Sequence, residues 1–468
     1  MLRTRERYIS HVALALGLAV LGAERPAFAQ TEGSVLRSMT LPEAIAYARA
    51  NQPAIRVALA RVNARKVEAD VPRAQWLPVV GATAQIFGAT ANNTTGTYVN
   101  PGFMDIPRIG GTRVTSGGSF RPYPSTIVAL GGTQEIFDFG RIAAQSAAAD
   151  ALVDVEKHRA QTERLDVSFD VEEAYFSVFT AKAIVKASED AFERSRAHRD
   201  LAKAGVDAGL RSPIEATRAE ADLTRFDIGR LRARGGLAVS QNVFAAVVGI
   251  SDAALDVAAA PPTPAEMPAM ATAIQQAAGR DPRVLEALAR LKSEEERTRA
   301  IGAELRPDVS LTSTISGRAG GATPSGNGES ANAGGWLPNV PNWDVGLVLT
   351  WPFFEGTVIA RRDASRAYEQ VRRDEIALAR HDQVATIQRA YGAVAVARTV
   401  LPGLQLAVQA AHANYAQADA RFRAGLGTSV ELADAEALRT ESEIQLALGQ
   451  FEIARTRAAF GRAISEGL

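Results

Sequence analysis

The chain has no cysteine in its 468 residues. That excludes disulfides, thiolate nucleophiles and cysteine-held metals, and also lipid attachment at a processed N-terminal cysteine. Histidine is scarce, with 5 in all. Those past the opening segment, His158, His198, His381 and His412, lie in helical sequence with no second ligand at metal spacing. They read as surface helix residues. There is no phosphate-binding glycine loop, nucleophile elbow or HExxH, so the expectation is no enzyme activity and no cofactor. Charge of one sign is also lacking, with 52 basic residues against 52 acidic, so nothing points to nucleic acid as a partner. Beyond the N-terminal stretch that ends at Ala29, no uncharged apolar run reaches the length of a membrane helix. Entry into a bilayer would have to be as a barrel.

What is there begins with a secretory signal over residues 1–29. Arg3, Arg5 and Arg7 precede an apolar run from Val12 to Ala23 and an Ala27-Phe28-Ala29 cleavage pattern. Export without disulfides fits a Gram-negative envelope.

The rest of the chain is a duplication. Pro53, Pro78 and Gly88 recur as Pro282, Pro307 and Gly317, all three at one constant displacement. The stretch from Val171 to Glu215 recurs from Ile387 to Glu431 in fixed register, carrying Ala174-Tyr175 onto Ala390-Tyr391 and Gly209-Leu210 onto Gly425-Leu426. A period this long, close to half the chain, means two whole subdomains side by side. The expected division is a first repeat at 30–250, a linker at 251–270 and a second repeat at 271–468.

Each repeat opens with a helix. Thr40 and Glu43 form a capping box for the first, which is expected to reach about Gln75, and its counterpart covers about Ala271 to Glu304. Past Pro78 and Pro307 the hydrophobic period falls to two. Val309, Leu311 and Ile315 alternate with Ser310, Thr312, Thr314 and Ser316, and Trp343, Val345, Leu347, Leu349 and Trp351 form one face of the next strand. The two tryptophans stand about 26 Å apart along a strand, close to an outer-membrane apolar band once the strand is tilted, so Trp343 and Trp351 are candidate interface anchors. A half-buried strand of a soluble sheet has the same period. Polar segments at about 91–124 and 319–342 read as hairpin loops.

Turns at Phe137-Asp138-Phe139-Gly140-Arg141 and Phe353-Phe354-Glu355-Gly356 lead into long helices. Arg141 to Ala204 holds neither proline nor glycine, enough for a rod of roughly 90 Å. Val384, Ile387, Tyr391, Val394, Leu401 and Val408 keep a heptad seam, matched by Val171, Tyr175, Val178, Val185 and Phe192. Polar residues interrupt it at the same places, Lys182 with Arg398 and Glu189 with Gln405, either to fix register or because the seam is solvated there. Pro402-Gly403 is expected to kink or break the second rod.

Each rod ends in a tight hairpin tip, Ala208 to Glu215 and Ala424 to Glu431, with a glycine stop and a Ser or Thr restart. Such a tip is either a connector or a docking surface.

Together with the Leu41-Pro42-Glu43-Ala44 start, the signal and the duplicated helix-strand-strand-helix-helix order, these motifs resemble the TolC-type outer-membrane factor family. The resemblance implies a mainly α chain with a small β part. In it, a homotrimer closes a 12-stranded barrel in the outer-membrane lipid that continues into a periplasmic α-helical barrel. It further implies an efflux channel, a passive exit duct for small toxic compounds, with a periplasmic adaptor and an inner-membrane pump as partners. An outlet for type I protein secretion needs the same duct, and a pore-free periplasmic coiled-coil protein is the reading from another class. Carried over by position, Gly209, Leu210, Ser212, Gly425, Leu426, Thr428 and Ser429 would be the adaptor-facing tips. Asp419 would be the periplasmic gate candidate, unless it simply pairs with Arg423.

Overall fold

The computed structural model describes residues 37–89, 123–250, 254–258, 266–320 and 340–467. The signal at 1–29 and nearly all of the polar segments at 91–124 and 319–342 lie outside them. The first repeat runs β1 (Arg37–Met39), α1 (Leu41–Asn51), α2 (Pro53–Glu68), α3 (Asp70–Arg73), β2 (Val79–Ala89), β3 (Tyr123–Phe137), α4 (Arg141–Asp207) and α5 (Pro213–Val248). After β4 (Leu255–Val257), the second runs α6 (Met270–Ala277), α7 (Pro282–Ala303), β5 (Asp308–Gly320), β6 (Val340–Thr350), α8 (Gly356–Arg423) and α9 (Ser429–Ala463).

The opening helices depart from the expectation of one rod each. The Thr40–Glu43 capping box forms, with Thr40 N–H donating to Glu43 Oε2 at 2.9 Å. The helix then breaks at Gln52, whose ψ is 125°. The second copy breaks earlier, at Ala278, with ψ 122°, and Gly279, with φ +83°, and α7 then restarts behind Asp281, with ψ 118°, whose carboxylate caps it. After both Gln52 and Asp281 the next residue is a proline, Pro53 or Pro282, and proline pushes the residue before it out of helical conformation. Pro53 therefore divides the first helix of repeat one, whereas in repeat two the helix has already ended at Ala278 and Pro282 marks where α7 starts.

β2, β3, β5 and β6 form an antiparallel sheet in that order. Leu130, Ile315 and Trp343 stand in one cross-strand row, and Val345, Leu347 and Leu349 continue the same apolar, solvent-exposed side. Thr314 and Ser316 on the other side are buried. Past the sheet, α4 and α8 are unbroken rods of 67 and 68 residues, roughly 100 Å each. Of the two outcomes expected at Pro402, a kink or a break, the break does not occur, since α8 continues through it. Arg398, whose carbonyl loses its intrahelical donor, is exposed, so water can satisfy that oxygen and the cost of an interior proline is reduced.

Four long helices lie in a row. α5 packs on α4, α4 on α9 and α9 on α8, so α5 and α8 are its two edges. The duplication is preserved in the packing. Val171, Tyr175, Val178 and Phe244 make the first core cluster, and their counterparts in the second repeat, Ile387, Tyr391, Val394 and Phe460, make the second. Tyr175 meets Phe244 edge-on at 5.7 Å, and Tyr391 meets Phe460 at 5.9 Å. The stretch expected as linker contains β4, which pairs in parallel with β1 and buries Leu255 in the first core. Three residues alternating apolar, acidic, apolar are too short to carry a strand signal, so the pairing depends on the tertiary contact with α4 and α5.

Candidate functional site

Two regions carry the candidate residues, the hairpin tips at one end of the rods and the aromatic band at the other. At the first tip Gly209 takes a φ of +70°, and the N–H groups of Leu210 and Arg211 turn back to Gly205 O at 2.9 and 3.1 Å. At the second, Gly425 takes +76°, and Leu426 and Gly427 donate to Arg421 O at 2.9 and 3.0 Å. Both are left-handed glycine stops, a conformation that a side chain at either position would strain. Ser212 and Thr428 then start α5 and α9, with Thr428 Oγ1 accepting Glu431 N–H at 3.2 Å. Leu210 and Leu426 project into solvent, 83% and 76% exposed, and Gly209, Ser212, Gly425 and Thr428 are exposed beside them.

Ser429 is the exception. It is 1% exposed, turned under the tip with Oγ 3.3 Å from Nε2 of His198, and has no place on an outward surface. His198 corrects a second expectation. It is buried, with its ring 4.6 Å from that of Phe422, because the second tip folds down onto α4 and covers it.

Arg211, which sequence reasoning passed over, ties the two tips together. Its guanidinium lies 3.8 Å from the Phe422 ring centroid, Nη2 donates to Phe422 O at 2.6 Å, and Nη1 donates to Glu215 Oε2 at 2.7 Å. An arginine that stacks on a ring and bonds two separate partners at once does what a lysine cannot. The available signal was the mismatch in otherwise parallel tips, since Gly427 stands where Arg211 is expected. Above it Arg194 of α4 grips Glu436 of α9 through Nε and Nη2, at 2.8 to 3.0 Å, and Glu436 is 3% exposed. Asp419 does pair with Arg423, at 3.0 Å, but Arg423 is exposed, and surface pairs of this kind contribute only about 0–1 kcal/mol. The carboxylate is thus loosely held.

The seam interruptions resolve differently in the two copies. Lys182 donates to Asp256 at 2.8 Å and Glu189 meets Arg234 at 2.6 Å, while Arg398 and Gln405 are exposed.

At the other end, Trp343 and Trp351 are both exposed, 77% and 58%, on the apolar side of β6 and just past it. The band is richer than two tryptophans. Phe353 and Phe354 follow at 80% and 75% exposure, and Phe137 and Phe139 sit at the matching turn of the first repeat. There Asp138 accepts the N–H groups of Gly140, at 3.0 Å, and Ile142, which starts α4 squarely at the sheet. The apolar side of the sheet therefore ends in exposed aromatics.

The family model described as outer membrane efflux protein matches residues 44–249 and 273–464, one segment in each repeat. Among curated proteins, the fusaric acid resistance protein FusA of Burkholderia cepacia is 26% identical over 199 residues, 42% of this chain and 36% of that one. This chain therefore aligns with about a third of that relative's length. Among solved structures, the outer membrane protein VceC of Vibrio cholerae superposes with a TM-score of 0.68 at 17% identity, covering 91% of this chain and 96% of its own. The MtrE outer membrane channel of Neisseria gonorrhoeae, in its open state, gives 0.68 at 18% identity, covering 92% and 89%. At such identities the likeness is one of fold.

Proposed function

The chain belongs to the outer membrane efflux protein family, and from that membership we propose that three copies close around a water-filled bore and form the passive exit duct of a tripartite pump. It is an outer-membrane protein with a large periplasmic part. The observation that carries the ring is the pair of open edges. The sheet ends on β2 and β6, neither paired along its outer side among the described residues, and four strands are about half of the smallest packed barrel. The helical row ends on α5 and α8 in the same way. Ile228, Leu231, Val239 and Val243 of α5 are exposed, as are Leu378, Val396, Val400 and Leu406 of α8. α8 also carries a long apolar stretch that is little buried. Two different apolar edges on one chain join head to tail, and a head-to-tail contact that closes makes a ring. The family resemblance supplies the number three.

In this reading Trp343 and Trp351 anchor the sheet in outer-membrane lipid. The exposed tip residues Gly209, Leu210, Ser212, Gly425, Leu426 and Thr428 meet a periplasmic adaptor, which couples the duct to an inner-membrane pump. Asp419, repeated by three-fold symmetry, puts three carboxylates at the periplasmic end. The cargo is small toxic compounds, as the resistance named in the FusA relative suggests. Native mass spectrometry of the protein extracted from outer membranes tests the ring. Three chain masses are expected, and a detergent-independent monomer would overturn it. Deleting the gene should lower resistance to small toxic compounds. Loss of a secreted polypeptide with resistance unchanged would instead favour the protein-secretion outlet.

A further inference from the structure

Neither a duct nor a docking tip has any need of a buried histidine, yet one sits where the two repeats meet. His198 is 8% exposed on α4, edge-on to Phe422 of α8, with its Nε2 against Ser429 Oγ at the start of α9. Phe422 and Ser429 are themselves 0% and 1% exposed. The histidine belongs to the first repeat alone, since the matching position of the second repeat holds Asn414. The second tip therefore rests on an imidazole, and what rests on it is neutral. A phenyl ring and a hydroxyl give little compensation to a buried imidazolium.

The charged and titratable groups around it come from every neighbouring element. α4 supplies Arg194, α5 and the turn before it supply Asp222, Glu215 and Arg211, α8 supplies Tyr415 and Asp419, and α9 supplies Glu436. Burial is the largest influence and holds the imidazole below its usual range. Asp222, Asp419 and Glu215 pull the other way, and Arg211 adds to the burial. Glu436 is already committed to Arg194.

We propose that His198 is a pH-sensitive latch, which when neutral holds the second tip on α4 and when protonated lets it go. The sign follows from linkage. Once released, the imidazole titrates near its free value of about 6.5, whereas in the closed contact it resists the proton. Above about pH 6.5 the closed contact keeps its full stability. As the pH falls below that value, the ratio of closed to released drops by up to about tenfold per pH unit, until the closed form also takes up the proton. What the release does for transport depends on the tips being the periplasmic end of a duct, but the contact itself does not.

The test uses the assembled full chain, with cysteines introduced at the exposed positions Lys203 and Val430 and spin-labelled. The protein has no other thiol. Distances are measured by pulsed electron resonance from pH 7.5 to 5.0. With labelled chains diluted into unlabelled ones, so that a ring carries one pair of labels, one short distance is expected at pH 7.5, with a longer population growing several-fold below pH 6.5. His198→Gln, which keeps a hydrogen-bond donor but does not titrate, should hold the pH 7.5 distribution throughout. His198→Phe serves the same purpose if the glutamine variant does not assemble. Unchanged distances in the parent would overturn the latch, and so would variants that respond as the parent does, which would assign the response to the carboxylates. Because the readout is tip separation, a monomeric mass would sink the duct and leave the latch standing, and unchanged distances would do the reverse.

Discussion

At the scale of single residues, the tip region is held by contacts of very unequal strength. Arg194 and Glu436 are a half-buried and a buried partner in bidentate contact, and Thr440 Oγ1 adds a hydrogen bond to the same carboxylate at 3.1 Å. Arg194→Ala would strand Glu436 without its counter-ion and should cost about 3 kcal/mol, a clear fall in the temperature at which the assembled protein loses helicity. Arg194→Met combined with Glu436→Leu should recover most of it, and a double variant as unstable as the single would show that packing rather than stranded charge is at fault. Asp419 is the opposite case. Asp419→Ala breaks only an exposed pair, so stability should change by less than about 1 kcal/mol. Single-channel conductance or cation block in lipid should nonetheless alter, because three like charges near one axis would be lost. Unaltered channel behaviour would remove Asp419 from the gate. What was legible here was what repeats. Gly209 and Gly425 announce their left-handed turns in both copies. Arg211, His198 and the turned-in Ser429 act across the junction between copies, where spacing marks at most a mismatch, as of Arg211 with Gly427, and not the contact it makes.

At the scale of elements, the strands and rods were readable because their periods are physical. The alternation from Trp343 to Trp351 does mark one exposed side of β6, and the heptad seam does bury Val171, Tyr175 and Val178. Breaks were harder. Pro402 looked like an interruption and is accommodated, while Pro53 looked like a repeat marker and divides a helix. The difference lies in what surrounds each proline. β1 and β4 were invisible, since three residues have no period. Leu347, 71% exposed and midway between the tryptophans, is the place to test the lipid reading. Leu347→Arg should cost about 2–4 kcal/mol at mid-bilayer and sharply reduce the amount of protein assembled in outer-membrane fractions. Wild-type amounts would mean that this side of β6 never meets hydrocarbon. At the tips, Gly425→Val should strain the turn and weaken capture of the adaptor. Capture and transport at parental levels would make that tip a connector only.

At the scale of the molecule, the two apolar edges should meet at matched heights. Val239 on α5 and Val396 on α8 are almost equally far along their helices from Ser212 and Ala424, so both stand roughly 40 Å above the tips. Val239→Cys with Val396→Cys, in a chain that has no other thiol, should give dimers and trimers on mild oxidation. A product that stays at one chain mass would deny the edge-to-edge ring. The open sheet edge at β6 has one more consequence, and it is genetic. If every wall panel must hand its backbone N–H and C=O groups to the next, a copy that cannot do so spoils the whole enclosure it joins. A cell making sound and faulty copies together should keep intact conduits only as the cube of the sound fraction, so an allele that adds a second proline in the middle of β6, well past Pro341, would be dominant over the wild type.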